Sequence, residues 1–249
     1  MDQTVVQVVL EDPGRYGCIV DTRGKTAEQV YDELLHREAL ALARYCTRSQ
    51  AEETYCDFVG LRVFGRGYLN AFAYLLSAST VTSDLEHPGL PDRVDNLVLA
   101  AQLYQVKCPP DYALLFAGPE VSCAETIEAP DEWGFSAEQQ LQMEIARKAL
   151  QRVAKTLAEK VRDVINGANV PHPSEDEARR IHICYKYGVP AEGCRSLADI
   201  LGAAWLAYED DKLWHDRPEV STRKDEVISS LVLKNIEVFE IEQKMRDPE

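Results

Sequence analysis

The sequence predicts a mainly α-helical protein with a small N-terminal β hairpin or sheet, an α+β class whose C-terminal half is helical. Three observations carry this reading. Ser or Thr followed three residues later by Gln, Glu or Asp recurs at Thr26/Gln29, Ser49/Glu52, Ser136/Gln139, Ser174/Glu177 and Ser196/Asp199. Such pairs satisfy the orphan N–H groups of a first helical turn. Apolar residues three and four apart follow most of these signals, as one buried helix face requires. Only the first twenty residues hold β-branched runs around a turn.

That opening segment has Val5, Val6, Val8 and Val9, then Asp12-Pro13-Gly14, then an apolar run at 16–20. Two short runs about a Pro-Gly turn read as a hairpin, or as two strands of a small sheet. Thr26/Gln29 then opens a helix expected over 26–46, and Ser49/Glu52 another. Gly65 and Gly67 break the chain before residues 68–78, which are too apolar for a surface helix and read as the central element of an N-terminal core. A helix is expected over 92–106, stopped by Pro109 and Pro110.

Residues 119–134 lose periodicity and gain acid: Glu120, Glu125, Glu128, Asp131 and Glu132. They read as the boundary between an N-terminal α+β domain, 1–130, and a helical domain, 131–249, or as a long loop inside one domain. Ser136/Gln139 caps the strongest helix, expected to close at Gly167. Its apolar stripe is read as Met143, Ala146, Leu150, Val153, Leu157, Val161 and Val164. The drift from Lys160 to Val161 follows a period of about 3.6 and not a supercoil's 3.5. Lys148, Arg152, Lys155 and Arg162 form a basic stripe opposite, without the aromatic residues a nucleic-acid platform needs. Shorter helices follow from Ser174 and Ser196, and a last one is expected over 222–244. There, residues 236–242 partly alternate, so a terminal strand is the alternative.

Composition narrows the function. The chain has 249 residues and a formal net charge of -15. An acidic surface repels nucleic acid and anionic lipid, which disfavours nucleic acid as a direct ligand. No apolar run approaches the roughly 20 residues of a membrane span. The N-terminus has no basic region before an apolar run, and the seven cysteines are odd in number and irregularly spaced. A cytoplasmic protein with free thiols is therefore expected.

Chemical motifs are sparse. His182, Cys184, Cys194 and His215 supply four zinc-type ligands, but only His182 and Cys184 are close. On a helix those two diverge by about 200°, so no metal and no cofactor is expected. No nucleophile elbow and no helix-borne H-E-x-x-H is present. Gly60, Gly65 and Gly67 with Arg62 and Arg66 lack the Gly-Lys-Ser/Thr ending of a phosphate loop and read as a joint between helices. Asp92, Asp95, Asp210 and Asp211 are weighed as magnesium ligands and read instead as solvated or dipole-facing acids.

Trp205, Tyr208 and Trp214 are the candidate interaction residues, with burial in the chain's own core as the competing role. They lie in the stretch DILGAAWLAY at 199–208, Leu213-Trp214, and LVLKNIEVFE at 231–240. These segments resemble the helical C-terminal region of proteins encoded beside SMC-like or ABC-type ATPases in three-component bacterial defence systems. Gly202 stands where that pattern has asparagine. The resemblance implies a docking region, an ATPase partner and no catalytic residue. The leading expectation is a non-enzymatic helical interaction subunit of a cytoplasmic assembly. The alternative is a hydrolase using scattered Cys/His pairs or carboxylates with a metal. A third reading is a module for an acidic or phosphorylated ligand at the arginines near Gly65.

Overall fold

The computed structural model describes residues 1–16, 23–35, 40–77, 85–116 and 136–246, the side chains of 31, 32 and 35 excepted. Ten helices are described: α1 (Asp2–Glu11), α2 (Ala27–Leu35), α3 (Ala41–Phe64), α4 (Arg66–Leu76), α5 (Leu90–Tyr104), α6 (Ala137–Gly167), α7 (Glu175–Lys186), α8 (Leu197–Glu209), α9 (Pro218–Ser221) and α10 (Lys224–Arg246). A 3₁₀ turn covers Tyr112–Phe116.

Among the described residues there is no strand, so the expected N-terminal β hairpin is replaced by a helix. The valine run lies inside α1, where Val5, Val6, Val8 and Val9 are all buried. At about 100° per residue they fall within an arc of about 160°, while Gln7 faces away. As a strand, the same run would need both faces covered, with Gln7 among the valines. Burial against neighbouring helices outweighs the modest β preference of valine. The second expected strand falls mostly on residues outside the described set, as does the acidic stretch at 119–134.

The centre of the fold is the pairing of α3 with α6. Ala43 shares a cluster with Ile145 and Ala149, and Phe58 and Leu61 share another with Ala158 and Val161. Arg62, near the end of α3, donates to Asn166 Oδ1 near the end of α6. The two helices therefore run in the same direction. Packed on α1, α3 and α5, α6 buries Gln142, Ile145, Ala146, Ala149, Leu150, Ala154, Ala158 and Val161. The expected stripe is thus rotated toward the alanines, and Val164 is exposed. Alanines at the contact leave room for Phe58 and Leu61, so small faces large across the seam.

Around this pair the chain forms three clusters. The first joins α3, α4, α5, Tyr112 and α6; the second joins α1, α2, Tyr16 and the starts of α3 and α6; the third is built from α7, α8, α10 and the intervening loops. Helix α6, which follows the expected boundary at 130/131, packs on α1, α3 and α5. Helix α8 meets both α3 and α4.

Capping pairs at Thr26/Gln29 and Ser136/Gln139 form in both directions, and Ser174 and Ser196 accept from the N–H groups of Glu177 and Asp199. Ser49/Glu52 does not start a helix; it lies in the interior of α3. Two chain breaks also differ from expectation. Gln105 closes α5 in the left-handed conformation (φ 59°) ahead of the prolines, and Asn169 (φ 54°), not Gly167, takes that conformation after α6. Helix α2 is described over Ala27–Leu35, and a separate helix, α3, begins at Ala41. Residues 236–242 are helical within α10.

Segment 68–78 is not central. In α4 only Gly67, Leu69, Asn70 and Phe72 are buried. Its Tyr68 lies on Gly60 of α3, where an added Cβ would approach the ring to 2.3 Å. Gly60 is thus a seat for an aromatic ring within a continuous helix. Tyr68 Oη donates to Asp57 Oδ1 (2.7 Å), and Arg93 forks onto the same carboxylate at 2.8 and 2.9 Å. The Arg93 guanidinium also stands 5.1 Å over the Phe72 ring. This network joins α3, α4 and α5 through one buried acid.

Two stability outcomes are expected in urea unfolding. Ala158→Leu overfills the α3–α6 seam and costs about 1–3 kcal/mol, whereas Val164→Ala on the exposed face changes stability by under about 0.5 kcal/mol. Asp57→Ala removes the hydrogen-bonded partner of a largely buried guanidinium, leaving it only Glu53 at 3.7 Å among the described carboxylates, and costs about 3 kcal/mol. Most of that loss is expected to return in Asp57→Leu/Arg93→Met, where neither charge remains.

Candidate functional site

The conspicuous exposed feature lies where α4 crosses α8. Trp205 and Tyr208, three residues apart, share a face of α8, and Tyr74 reaches them from α4. The ring centroids are 5.7 Å apart for Trp205–Tyr208, 6.0 Å for Tyr74–Trp205 and 6.2 Å for Tyr74–Tyr208, with interplanar angles of 79°, 60° and 84°. Edge-on pairs at these separations are attractive beyond their buried area. Tyr74 is 66% exposed, its neighbour Leu75 72% and Tyr208 42%, so the three rings form a corner open to solvent.

Small residues and one acid set this corner. A Cβ at Gly67 would come within 3.6 Å of Trp205 and 3.8 Å of the Gly202 nitrogen, and one at Gly202 would approach Ala178 to 3.3 Å. Helices α4, α7 and α8 therefore meet at side chains with little or no bulk. A side chain at 202 would require Ala178 of α7 to give by a few tenths of an ångström. Glu209 then ties the helices together, accepting from Asn70 Nδ2 (2.7 Å) and Arg66 Nη2 (3.0 Å). Lys224 closes the carboxyl end of α8 by donating to the carbonyls of Tyr208 (2.8 Å) and Asp210 (2.9 Å).

Of the expected interaction residues, the structure brings Trp205 and Tyr208 together and places Trp214 elsewhere. Trp214 is 5% exposed, packs in the third cluster, and donates its indole N–H to the Lys186 carbonyl (3.2 Å) at the end of α7. Tyr74 and Leu75 were missed by sequence reasoning. Their signal was the surplus of apolar residues in 68–78, more than one buried face of a short helix can use.

The arginines near Gly65 do not gather into an anion site. Arg62 is buried beside Asn166, and Arg66 is engaged by Glu209. A cleft of about 210 Å³ lies next to them, lined by Gly65, Lys107, His172, Glu175, Asp199 and Gly202 among others. Helices α7 and α8 both start there, but Asp199 already serves them. Its Oδ1 accepts from the Ser174 N–H (2.7 Å) and its Oδ2 from the Ser196 hydroxyl (2.8 Å). An incoming phosphate would meet that carboxylate and Glu175.

The four zinc-type residues also have separate roles. Cys194 is buried, donates to the Ala191 carbonyl (3.6 Å) and accepts from Asn235 Nδ2 (3.1 Å). Burial pushes its thiol pKa up, so the protonated form dominates at neutral pH, a poor nucleophile and a poor ligand. Burial does the same to Cys108. His182 Nε2 faces Asp210 at 3.4 Å, and His215 follows on an exposed turn. Asp92 is held by Arg147 and Gln151, remote from Asp210. Among the described residues, no group of three His, Cys, Asp or Glu is placed to hold a metal. The basic stripe of α6 is partly spent on ion pairs: Lys148 with Glu144, Arg152 with Glu11, and Arg162 with Asp163. No described helix is long and apolar enough to cross a membrane.

Fold and surface together define a helical protein whose most prominent exposed feature is an aromatic corner. Comparison with known proteins gave no significant match to a family model, a curated protein or a solved structure.

His182 sets a testable pH dependence. Burial first, then Lys186, lowers its pKa from the ordinary 6.5 against the pull of Asp210. The fold thus favours neutral imidazole, and stability present above pH 6.5 falls as the pH drops toward the folded-state value. Glu177, held below the usual carboxylate range by its hydrogen bonds to Arg180, adds a separate loss below its ordinary 4.5. Urea midpoints measured from pH 7.5 to 5.5 are expected to decline in the native chain and to flatten in His182→Gln. Parallel declines would refute the assignment.

Proposed function

We propose that this chain is a non-enzymatic interaction subunit of a multiprotein assembly, and that it docks through the corner of Tyr74, Leu75, Trp205 and Tyr208. The observation that carries the reading is a trio of mutually packed aromatic rings on two helices, with Tyr74 and Tyr208 exposed and Trp205 half-buried. Aromatic residues in a contiguous exposed patch are the usual anchors of protein interfaces. The rings are held by packing and by the Glu209 bridge, so little side-chain freedom is lost on binding. The resemblance of segments 199–208 and 231–240 nominates an SMC-like or ABC-type ATPase as the first partner to test, within an antiviral defence complex of the cytoplasm. A hydrolase reading finds less support, since burial raises the thiol pKa of both Cys108 and Cys194, and among the described residues no three His, Cys, Asp or Glu side chains gather to hold a metal.

The test is co-purification of the native chain with its assembly, compared with Tyr74→Ser/Leu75→Ser. Both residues are exposed, so circular dichroism and thermal melting are expected to stay unchanged. Loss of partner recovery by at least about tenfold is expected, a contribution of about 1.4 kcal/mol from two anchors. A native chain that runs alone as a monomer, or full recovery with the double variant, would overturn the proposal.

A further inference from the structure

We infer that the Tyr74–Trp205–Tyr208 corner binds an alkylammonium cation, supplied by a lysine side chain of the docking partner. The inference rests on the docking reading above and names the chemistry of the anchor that the partner presents.

The geometry comes first. Three ring planes inclined at 60–84°, with centroids 5.7–6.2 Å apart, bound a corner in the manner of adjoining faces of a box. A group seated at this corner comes within the roughly 6 Å over which a cation is drawn to a ring. Two rings are tyrosine and one is tryptophan, the ring with the strongest attraction for cations.

Charge supports the same occupant. The chain carries a formal net charge of -15, so its field gathers cationic partners and repels anionic ones. The run from Tyr208 continues as Glu209, Asp210 and Asp211. Basic side chains of the chain near the rings are already engaged by other groups. Arg66 is bound to Glu209, Lys186 lies 3.5 Å from Asp210, and Lys224 is held by backbone carbonyls. The cation–π contacts among the described residues are Arg93 on Phe72 and Lys148 on Tyr16, neither of them at the corner. A purely apolar anchor would use the area of the rings and Leu75 but not the negative ring faces. An ammonium uses both, its methylene stem covering apolar surface beside the rings.

The experiment follows the indole N–H resonances of the full chain by ¹H–¹⁵N NMR, with Trp205 assigned from Trp205→Phe. Three probes are titrated: choline, its uncharged isostere 3,3-dimethylbutan-1-ol, and N-acetyl-lysine amide. Choline and the lysine amide are expected to shift the Trp205 resonance saturably, and the isostere to bind at least about fivefold more weakly. Tyr74→Leu, which keeps apolar area and removes a ring face, is expected to lose the choline response by a similar factor, and Tyr74→Phe to retain it.

Equal binding of choline and its isostere would overturn the cation site while leaving an apolar docking surface. Binding of choline without the lysine amide would overturn lysine as the source and point to a quaternary ammonium ligand. No response to any probe would overturn the corner as a binding site for small cations, whereas failure of the docking reading shows separately in the co-purification of Tyr74→Ser/Leu75→Ser.

Discussion

The parallel contact between α3 and α6 is the constraint on which the rest of the architecture depends. Two helices that lie side by side in the same direction cannot be joined by a short turn. The 24 residues of α3 span about 36 Å at 1.5 Å per residue, and the chain must travel back that length before α6 starts. The intervening helices α4 and α5 occupy this return and pack on the same seam. The alanines of α6 allow the close approach, and the large residues of α3 fill what the alanines leave. Because α4 starts at Gly65, where α3 ends, its position follows from that pair. So does the placement of Tyr74.

Parallel alignment also explains a buried arginine. Arg62 is 6% exposed and has no carboxylate within hydrogen-bonding reach among the described residues; its described side-chain partner is the Asn166 amide. Burial lowers its pKa, the direction expected for a cation removed from water. What offsets the cost is position. Helices α3 and α6 end at the same level, and their carbonyl-bearing ends both carry partial negative charge. An antiparallel pair would place a positive end there instead. The Asp57–Arg93–Tyr68 network acts differently, fixing which faces of α3, α4 and α5 meet. Its net effect on stability is expected to be small relative to a well-packed apolar replacement.

Much of the helical pattern was legible in local sequence. Thr26, Ser136, Ser174 and Ser196 cap helices as their spacing predicts, because capping involves residues three apart and needs no tertiary information. What misled was equally local. Val5 to Val9 satisfy a β-propensity rule, yet their spacing with Gln7 fits a helix face once a neighbouring helix covers it. Ser49/Glu52 has the right spacing for a cap, but the helix had already begun at Ala41, and local spacing carries no record of that. Gly60 looked like a joint because its reason for being glycine, the Tyr68 ring eight residues on, exists only after α4 folds back. The aromatic corner was half visible for the same reason. Trp205 and Tyr208 share a helix face in any reading, whereas Tyr74 joins them across more than a hundred residues of chain.

Exposure alone does not make a surface functional, since apolar atoms form more than half of any protein's accessible area. The corner differs in how little it can move. Trp205 and Tyr208 stand on consecutive turns of α8, and Tyr74 is presented by a helix that Gly67, Gly202 and the Glu209 bridge hold against it. A floppy apolar patch would lower its own free energy by folding its side chains onto the body of the protein. These rings already pack on one another at steep angles, so collapse gains little and their outer surfaces stay presented. Water excluded from them by a partner is therefore released from a surface that needs no rearrangement, so less of the gain in burying it is offset by the cost of ordering side chains.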